Sequence, residues 1–99
     1  CRDCVKALTL DDVIREYNID PSNTILKLDC EGCEYEVILG DYDHVRLFRE
    51  VVVEYHRGYR EVLKVMDRDF TCRHEAKHLF SDLARQGLLH CAKKKSNIY

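Results

Sequence analysis

The sequence predicts an α/β domain with a mostly parallel sheet, helices on both faces and a final antiparallel strand. Stretches with apolar residues at helical spacing alternate with short apolar runs of strand character, a pattern typical of parallel sheets. With 99 residues, the chain is long enough for one domain only. Two or three parallel strands leave one sheet edge without a neighbour, so we expect the sheet to be incomplete by itself.

The first half of the chain contains a helix, a turn, a strand and a second helix. Thr9 and Asp12 have the spacing of a helix capping box, and the apolar residues that follow predict a helix over 9–18. The only proline then marks a turn. The Ile- and Leu-rich run 24–30 predicts a buried strand. A helical period over 31–40 follows it, with the final glycine as C-cap.

The second half continues the alternation. The predicted elements are, in order, a short helical turn, a strand, a helix and two further strands, at 41–48, 50–56, 59–66, 70–73 and 87–92. Three consecutive valines make 50–56 a second buried strand. The last strand follows its predecessor without a full helical crossover, so we expect it to be antiparallel and to lie at the sheet edge. The segment 75–86 fits a helix or a loop equally well.

Charge and hydropathy exclude several classes of partner. The chain has 16 basic and 18 acidic residues, a net charge of -2 and a mean hydropathy of -0.42. No overall positive field would hold nucleic acid or an anionic membrane. No apolar run approaches the ~20 residues of a membrane helix, and the first residues do not resemble a secretory signal. We therefore expect no nucleic-acid partner and no membrane partner.

The six cysteines allow three interpretations: disulfides, metal-binding pairs or free thiols. Small secreted disulfide scaffolds are rich in loops, whereas this chain has one proline and long periodic stretches. We therefore expect six thiols in a reducing, cytoplasmic location. Cys72 and Cys91, which fall on predicted strands, are then small hydrophobic residues of the core.

Two alternatives give the cysteines a function. Cys1 and Cys4, together with Cys30 and Cys33, have the pairwise spacing of a four-thiolate zinc site, which would make the chain a zinc-binding structural module. Against this, Cys30 and Cys33 flank a predicted junction of strand and helix, where a tight knuckle is not expected. The second alternative is a thioredoxin-like dithiol at the same two cysteines, whose thiolate the neighbouring glutamates would oppose.

Polar side chains occupy the ends of the two predicted parallel strands, which is where open α/β sheets bind their ligands. Asp29, Glu31 and Glu34 follow the first strand. Glu54 and His56 end the second. Polar residues at the end of a buried strand carry a free-energy cost of desolvation. A structural or functional role must offset this cost. We interpret them as a carboxylate-lined rim that holds a divalent metal or takes a proton from a substrate hydroxyl.

A structural interpretation of the same residues stays open. Lys27 and Asp29 share one strand face and would form an ion pair, while the glutamates would complement a helix N-terminus. Glu54 and His56 would already lie outside the core. Gly32 fits both interpretations, because a residue without Cβ allows either a sharp turn from strand to helix or the close approach of a ligand.

These segments also resemble the signature of FkbM-type methyltransferases. The central run I-L-K-L-D-C-E-G-C-E-Y-E-V-I-L-G at 25–40 is similar to the long motif of that family, and T-L-D-D at 9–12 is similar to the start of its preceding helix. V-V-V-E-Y-H at 51–56 and G-L-L-H-C-A-K-K at 87–94 resemble its next strand and its last. The resemblance covers 9–94, and its central motif is the specific part.

The resemblance implies a Rossmann-like class I methyltransferase sheet, S-adenosylmethionine as methyl donor, and O-methylation of a sugar or other small-molecule hydroxyl. The four strands would be the fourth to seventh of that fold, so its first strands are lacking. A glycine-rich turn holds the donor in this fold, yet the four glycines here are scattered. The resemblance therefore identifies 1–99 as one partial domain, the C-terminal half of a catalytic domain. It would be inactive without the missing N-terminal half or a partner chain.

With that identification, the catalytic residues would be Asp29, Glu31, Glu34, Glu54 and His56. Asp29 would lie nearest to the point of methyl transfer, as a base or as the ligand of a divalent metal. The two glutamates that open the helix would line the rim and face Glu54 and His56 across it. The residues that bind the donor stay unassigned.

Overall fold

The computed structural model describes residues 9–30, 32–75 and 87–95, which form a four-stranded mixed sheet with accompanying helices. The alternation of helix and strand predicted from the sequence is confirmed. In the described part of the chain, no helix is long and apolar enough to cross a membrane. The elements, in chain order, are α1 Leu10–Glu16, a 3₁₀ turn Pro21–Asn23, β1 Ile25–Leu28, α2 Cys33–Gly40, α3 Tyr42–Val45, β2 Glu50–Tyr55, α4 Arg60–Met66, β3 Phe70–Glu75 and β4 Gly87–Lys93.

The ends of the first two helices test the capping predictions. Thr9 Oγ1 accepts a hydrogen bond from the Asp12 N–H at 3.1 Å, and the Asp12 carboxylate accepts one from the Thr9 N–H at 3.1 Å. This reciprocal pair satisfies two backbone donors and confirms the predicted capping box of α1. The predicted C-cap of α2 is off by one residue, because Gly40 is still helical and Asp41 occupies the cap position.

The strands are ordered β1-β2-β4-β3. β1 and β2 are parallel, whereas β4 is antiparallel to both of its neighbours, β2 and β3. Three strands therefore run in one direction and the last runs against them, as predicted. The predicted position of the last strand is wrong, because β4 lies inside the sheet. Its residues Leu89 and Cys91 are fully buried, which suits an interior strand, while three of the six β3 residues are exposed and β3 forms an edge of the described sheet.

β1 is less buried than predicted. Of its four residues only Leu28 is buried, and Ile25 is 56% exposed. β2 alternates between buried and half-buried residues, with Val51, Val53 and Tyr55 fully buried. The prediction of a buried strand is therefore wrong for β1 and confirmed for β2. Within the described residues, β1 pairs with β2 alone and is an edge strand with partly uncovered apolar side chains.

The hydrophobic core holds the helices against the sheet. Its fully buried members on the helices are Ile38, Val45, Val62 and Met66, and those on the strands are Val51, Val53, Tyr55, Phe70, Leu89 and Cys91. Burying one such aliphatic or aromatic side chain contributes about 1.5–3 kcal/mol relative to its exposed state. The core therefore fixes the carboxyl end of β2 and the helix α2 relative to each other.

A disulfide joins the two last strands. Cys72 on β3 and Cys91 on β4 are direct partners in the antiparallel register, with Cα atoms 4.0 Å apart, and their sulfurs are bonded. The prediction that these residues are unpaired core thiols is wrong. A cross-link over 19 residues restricts the unfolded chain and contributes about 3 kcal/mol. Because disulfides are typical of oxidising compartments, the cysteines do not support the expectation of a cytoplasmic location.

Candidate functional site

The candidate site lies at the carboxyl ends of β1 and β2. These strands are parallel and Leu28 pairs with Val53, so Asp29, which follows β1, lies next to Glu54 near the end of β2. His56 comes two residues after Glu54 and shares its strand face. Ligand atoms of Asp29, Glu54 and His56 all lie within 4.8 Å of one another. The structure thus brings together three of the five predicted site residues.

A tight turn at Gly32 connects β1 to α2. Gly32 has a φ of 95°, in the left-handed region that glycine adopts without steric cost. A Cβ at this position would lie 2.6 Å from the guanidinium of Arg57, so the arginine side chain would have to move to accept it. The predicted sharp turn from strand to helix is confirmed. The group that lies close to Gly32 is the Arg57 guanidinium of the same chain.

A buried carboxylate lies behind the three converging residues. Glu34, in the first turn of α2, is 0% exposed. Its Oε2 accepts a hydrogen bond from the Gly32 N–H at 3.0 Å, and its Oε1 lies 3.1 Å from Nδ1 of His56. Because a carboxylate only accepts hydrogen bonds, we assign the proton of this contact to Nδ1. The contact orients the ring and leaves Nε2 as the nitrogen that accepts a proton or binds a metal.

Of the two other predicted residues, Glu34 differs in position from the expectation. Glu34 was expected at the rim, but it lies beneath it, behind an imidazole that is itself 18% exposed. Tertiary packing of α2 against β2 and α4 causes this burial. Glu31 lies outside the described residues, so its place at the rim stays a prediction. In the described ranges no ion pair joins Lys27 to Asp29, which removes one support of the structural interpretation.

The side chain of Tyr35 on α2 holds the loop that follows His56. Its hydroxyl donates a hydrogen bond to the Gly58 carbonyl at 2.6 Å and accepts one from the Arg57 N–H at 2.7 Å. The Arg57 guanidinium also lies over the Tyr35 ring, 5.8 Å from its centroid. Sequence reasoning missed this contact because hydrogen bonds across 22 and 23 residues have no local signature.

A groove of about 550 Å³ opens beside the site, between α2 and the loop that leads into α4. Gly32 borders it, so the groove and the turn of the site are continuous. Its walls include the aromatic rings of Tyr35 and Tyr59 and the guanidinium groups of Arg57 and Arg60. Aromatic faces next to polar groups are typical of sites for small polar molecules.

Two cysteines flank the same turn. Cys30 and Cys33 form a disulfide, so the prediction of free thiols is wrong for this pair as well. Their sulfurs and the Glu34 carboxylate also lie within 4.8 Å of one another. Zinc binds thiolates, and bonded sulfurs are not thiolates. Cys1 and Cys4, the other half of the zinc alternative, lie outside the described residues.

A second histidine with carboxylate neighbours lies between α1 and α3. Nδ1 of His44 is 2.6 Å from Asp41 Oδ1, and Nε2 is 3.6 Å from Asp11 Oδ1. The hydrogen bond to Asp41, supported by the negative charges of Asp41, Asp11 and Asp43, raises the pKa of His44 above its ordinary value against the opposing effect of desolvation. Both ring nitrogens face carboxylates, so this arrangement is an ion pair that joins two helices.

One comparison with known proteins agrees with the resemblance seen in the sequence. The family described as "Methyltransferase FkbM domain" matches residues 4–83, which is more than half of the chain. No curated protein and no solved structure matches the chain. The matched range contains the strand ends, the Gly32 turn and the Glu34–His56 pair.

Proposed function

The chain belongs to the FkbM methyltransferase family, and on that premise we propose that it forms part of an enzyme that methylates a hydroxyl group with S-adenosylmethionine as donor. The acceptor is a sugar or another small molecule. One observation carries this proposal: Asp29, Glu54 and His56 converge at the carboxyl ends of two parallel strands, where open sheets bind their ligands.

Methyl transfer to oxygen requires that the acceptor hydroxyl lose its proton. A neutral alcohol is a weaker nucleophile than its alkoxide. Positioned acid–base groups contribute ~10²- to 10⁴-fold to the rates of such reactions. In this proposal the cluster of Asp29, Glu54 and His56 binds the hydroxyl and promotes the loss of its proton. Asp29 is exposed and is therefore the first of the three that an acceptor meets. The hydrogen bond that the imidazole of His56 donates to Glu34 keeps the ring in one orientation.

The groove beside the cluster supports an acceptor of sugar size. Its volume of about 550 Å³ falls within the range of small-molecule sites. The ring of Tyr59 offers an apolar face, and the side chains of Arg60 and Glu61 offer hydrogen-bonding groups around it. An acceptor in this groove would present a hydroxyl towards the Gly32 turn and the cluster beyond it.

The described residues do not fit the donor by themselves. S-adenosylmethionine on a Rossmann-like sheet requires a glycine-rich turn and an acid that holds the ribose. The turn at Gly32 has one glycine, and the space above it is filled by Arg57. Gly40, Gly58 and Gly87 each stand alone in the sequence. The proposal therefore places the donor site outside the described residues.

The chain is accordingly assigned to the C-terminal half of a catalytic domain. A donor-binding half, in the same protein or in a partner chain, completes the sheet next to β1. The exposure of Ile25 on β1 supports this, because another strand would cover apolar surface that the described residues leave open.

Calorimetric titration of the 99-residue chain with S-adenosylmethionine tests this division. We expect no binding in the micromolar range, because the turn that would hold the donor is lacking. Micromolar affinity would contradict the placement of the donor site outside the described residues.

An assay of methyl transfer tests the reaction itself. A protein that unites this chain with a donor-binding half is incubated with S-adenosylmethionine and a panel of soluble sugars and small alcohols. We expect at least one hydroxyl compound to raise the release of S-adenosylhomocysteine above the background without acceptor. If no hydroxyl compound does so while an amine or thiol compound does, the assignment of O-methylation is wrong.

A further inference from the structure

We propose that Asp29, Glu54 and His56 bind a divalent cation at the carboxyl ends of β1 and β2. The inference deepens the proposed function, on which the catalytic role of the cation rests. The binding itself needs neither the methyl donor nor the acceptor, so it can be measured separately.

The three side chains offer a mixed set of ligand atoms. Two carboxylates and one imidazole come from neighbouring strands, and their ligand atoms lie within 4.8 Å of one another. A cation about 2.1 Å from each ligand brings adjacent ligand atoms to roughly 3 Å from one another. Asp29 follows the end of β1 and is exposed, so rotation of its side chain can close the remaining distance. A divalent charge also offsets the repulsion between two neighbouring carboxylates.

The buried carboxylate of Glu34 supports a metal-binding role for His56. Metal-binding histidines commonly donate their second ring N–H to a carboxylate, which fixes the ring and raises its basicity. Glu34 provides this contact at 3.1 Å and is itself 0% exposed. Its other oxygen is occupied by the Gly32 N–H at 3.0 Å. Glu34 is therefore placed to position His56.

Two other groups of metal-ligating side chains in the described part of the chain are less suited to a cation. At the Gly32 turn, Cys30 and Cys33 are joined in a disulfide, and both oxygens of Glu34 already accept hydrogen bonds. At His44, each ring nitrogen faces a carboxylate, so the imidazole has no lone pair directed at a third group. The strand-end cluster differs from both because Nε2 of His56 keeps a lone pair that can bind a cation.

The ligand set indicates the kind of cation and its use. Carboxylates suit Mg²⁺ and Mn²⁺, and an imidazole favours Mn²⁺ over Mg²⁺. Three protein ligands leave coordination positions for the oxygen of an acceptor. A bound cation would lower the pKa of a coordinated hydroxyl, and its proton would pass to solvent water, because all three side chains of the cluster would be ligands of the cation. The cation thus explains how the cluster promotes the loss of the acceptor proton.

Titration of the 99-residue chain with Mn²⁺ alone tests this inference, with free Mn²⁺ measured by electron paramagnetic resonance. We expect one equivalent to bind. Asp29→Asn removes a ligand and should weaken binding at least ~10-fold, and Glu34→Gln, which acts through His56, should weaken it ~10- to 100-fold. Asp41→Asn is the matched control, since it alters the histidine–carboxylate cluster at His44, and it should bind like the unaltered chain.

Circular dichroism of each variant identifies any loss of folding. If Glu34→Gln loses helicity, the test of Mn²⁺ binding rests on Asp29→Asn alone. The Asp29 side chain is exposed, so its replacement leaves the core unchanged. The inference is overturned if the chain shows no saturable binding up to ~1 mM Mn²⁺, or if folded Asp29→Asn binds as tightly as the unaltered chain. Methyl transfer that survives chelation, together with absent Mn²⁺ binding, would remove the cation and leave the proposed function in place.

Discussion

His44 and His56 both lie beside carboxylates, but their ring nitrogens are used differently. His44 has a carboxylate at each nitrogen, Asp41 at 2.6 Å and Asp11 at 3.6 Å. Among the described residues, His56 has one hydrogen-bonding carboxylate, the Glu34 group at 3.1 Å from Nδ1, and it lies within 4.8 Å of two further carboxylates at the strand ends. The first arrangement uses the whole imidazole to join two helices. The second orients the imidazole and leaves one nitrogen for chemistry.

The two clusters also differ in how deeply their carboxylates are buried. Asp11 and Asp41 are 47% and 34% exposed, so water screens their interaction with His44. Glu34 is fully buried, and a buried carboxylate carries a desolvation cost that a structural role alone repays poorly. The same residue types therefore have different roles in the two clusters. A histidine near acids indicates function where a buried partner fixes it at a ligand-binding edge.

The largest expected difference between the clusters is in turnover. In a protein that unites this chain with a donor-binding half, Asp29→Asn should lower turnover at least ~100-fold, because the cluster that promotes the loss of the acceptor proton is disrupted. Its melting temperature should change little, since Asp29 is exposed. Asp41→Asn, the matched change at the His44 cluster, should leave turnover unchanged. Release of S-adenosylhomocysteine measures turnover, and thermal unfolding measures the melting temperature. Equal losses of turnover in the two variants would contradict the different roles assigned to the two clusters.

Two glycines at opposite ends of α2 extend the comparison to the backbone. Gly32→Ala places a Cβ against Arg57 at a φ of 95° and should lower the free energy of unfolding by about 1–2 kcal/mol. Gly40→Ala, at the end of α2 next to the His44 cluster, has open space around the new Cβ and should raise it by up to ~1 kcal/mol. Urea unfolding compares the two. A destabilised Gly40→Ala with an unaffected Gly32→Ala would contradict the account of the turn.

The smallest expected effect is the pH dependence that His44 gives to stability. Its pKa is raised in the folded chain, chiefly by the hydrogen bond to Asp41. The protonated form therefore stabilises the fold below the ordinary histidine pKa of about 6.5, and this stabilisation is lost as the pH rises through the folded value. His44→Gln should remove this dependence, which amounts to at most ~1 kcal/mol for a partly exposed pair. Urea unfolding at pH 5 and pH 8 would show no difference between the two proteins if the account were wrong.

The sequence predicted what depends on neighbours along the chain. The capping box of Thr9 and Asp12, the alternation of helix and strand, and the placement of polar groups at two strand ends all follow from local pattern. The features that it missed depend on contacts between distant segments. These are the position of β4 inside the sheet, the burial of Glu34 and the pairing of Cys72 with Cys91. Six cysteines allow many pairings, and spacing alone does not choose among them.

The central claim is that Glu34 acts through His56 at a site for hydroxyl methylation. Its most direct test is the turnover of four complete enzymes: the unaltered protein, Glu34→Gln, His56→Ala and the double variant. The account predicts that His56→Ala lowers turnover at least ~100-fold, and that Glu34→Gln lowers it less. The double variant should be no slower than His56→Ala, because Glu34 has nothing left to orient. Losses that multiply in the double variant, or near-normal turnover in His56→Ala, would contradict the account.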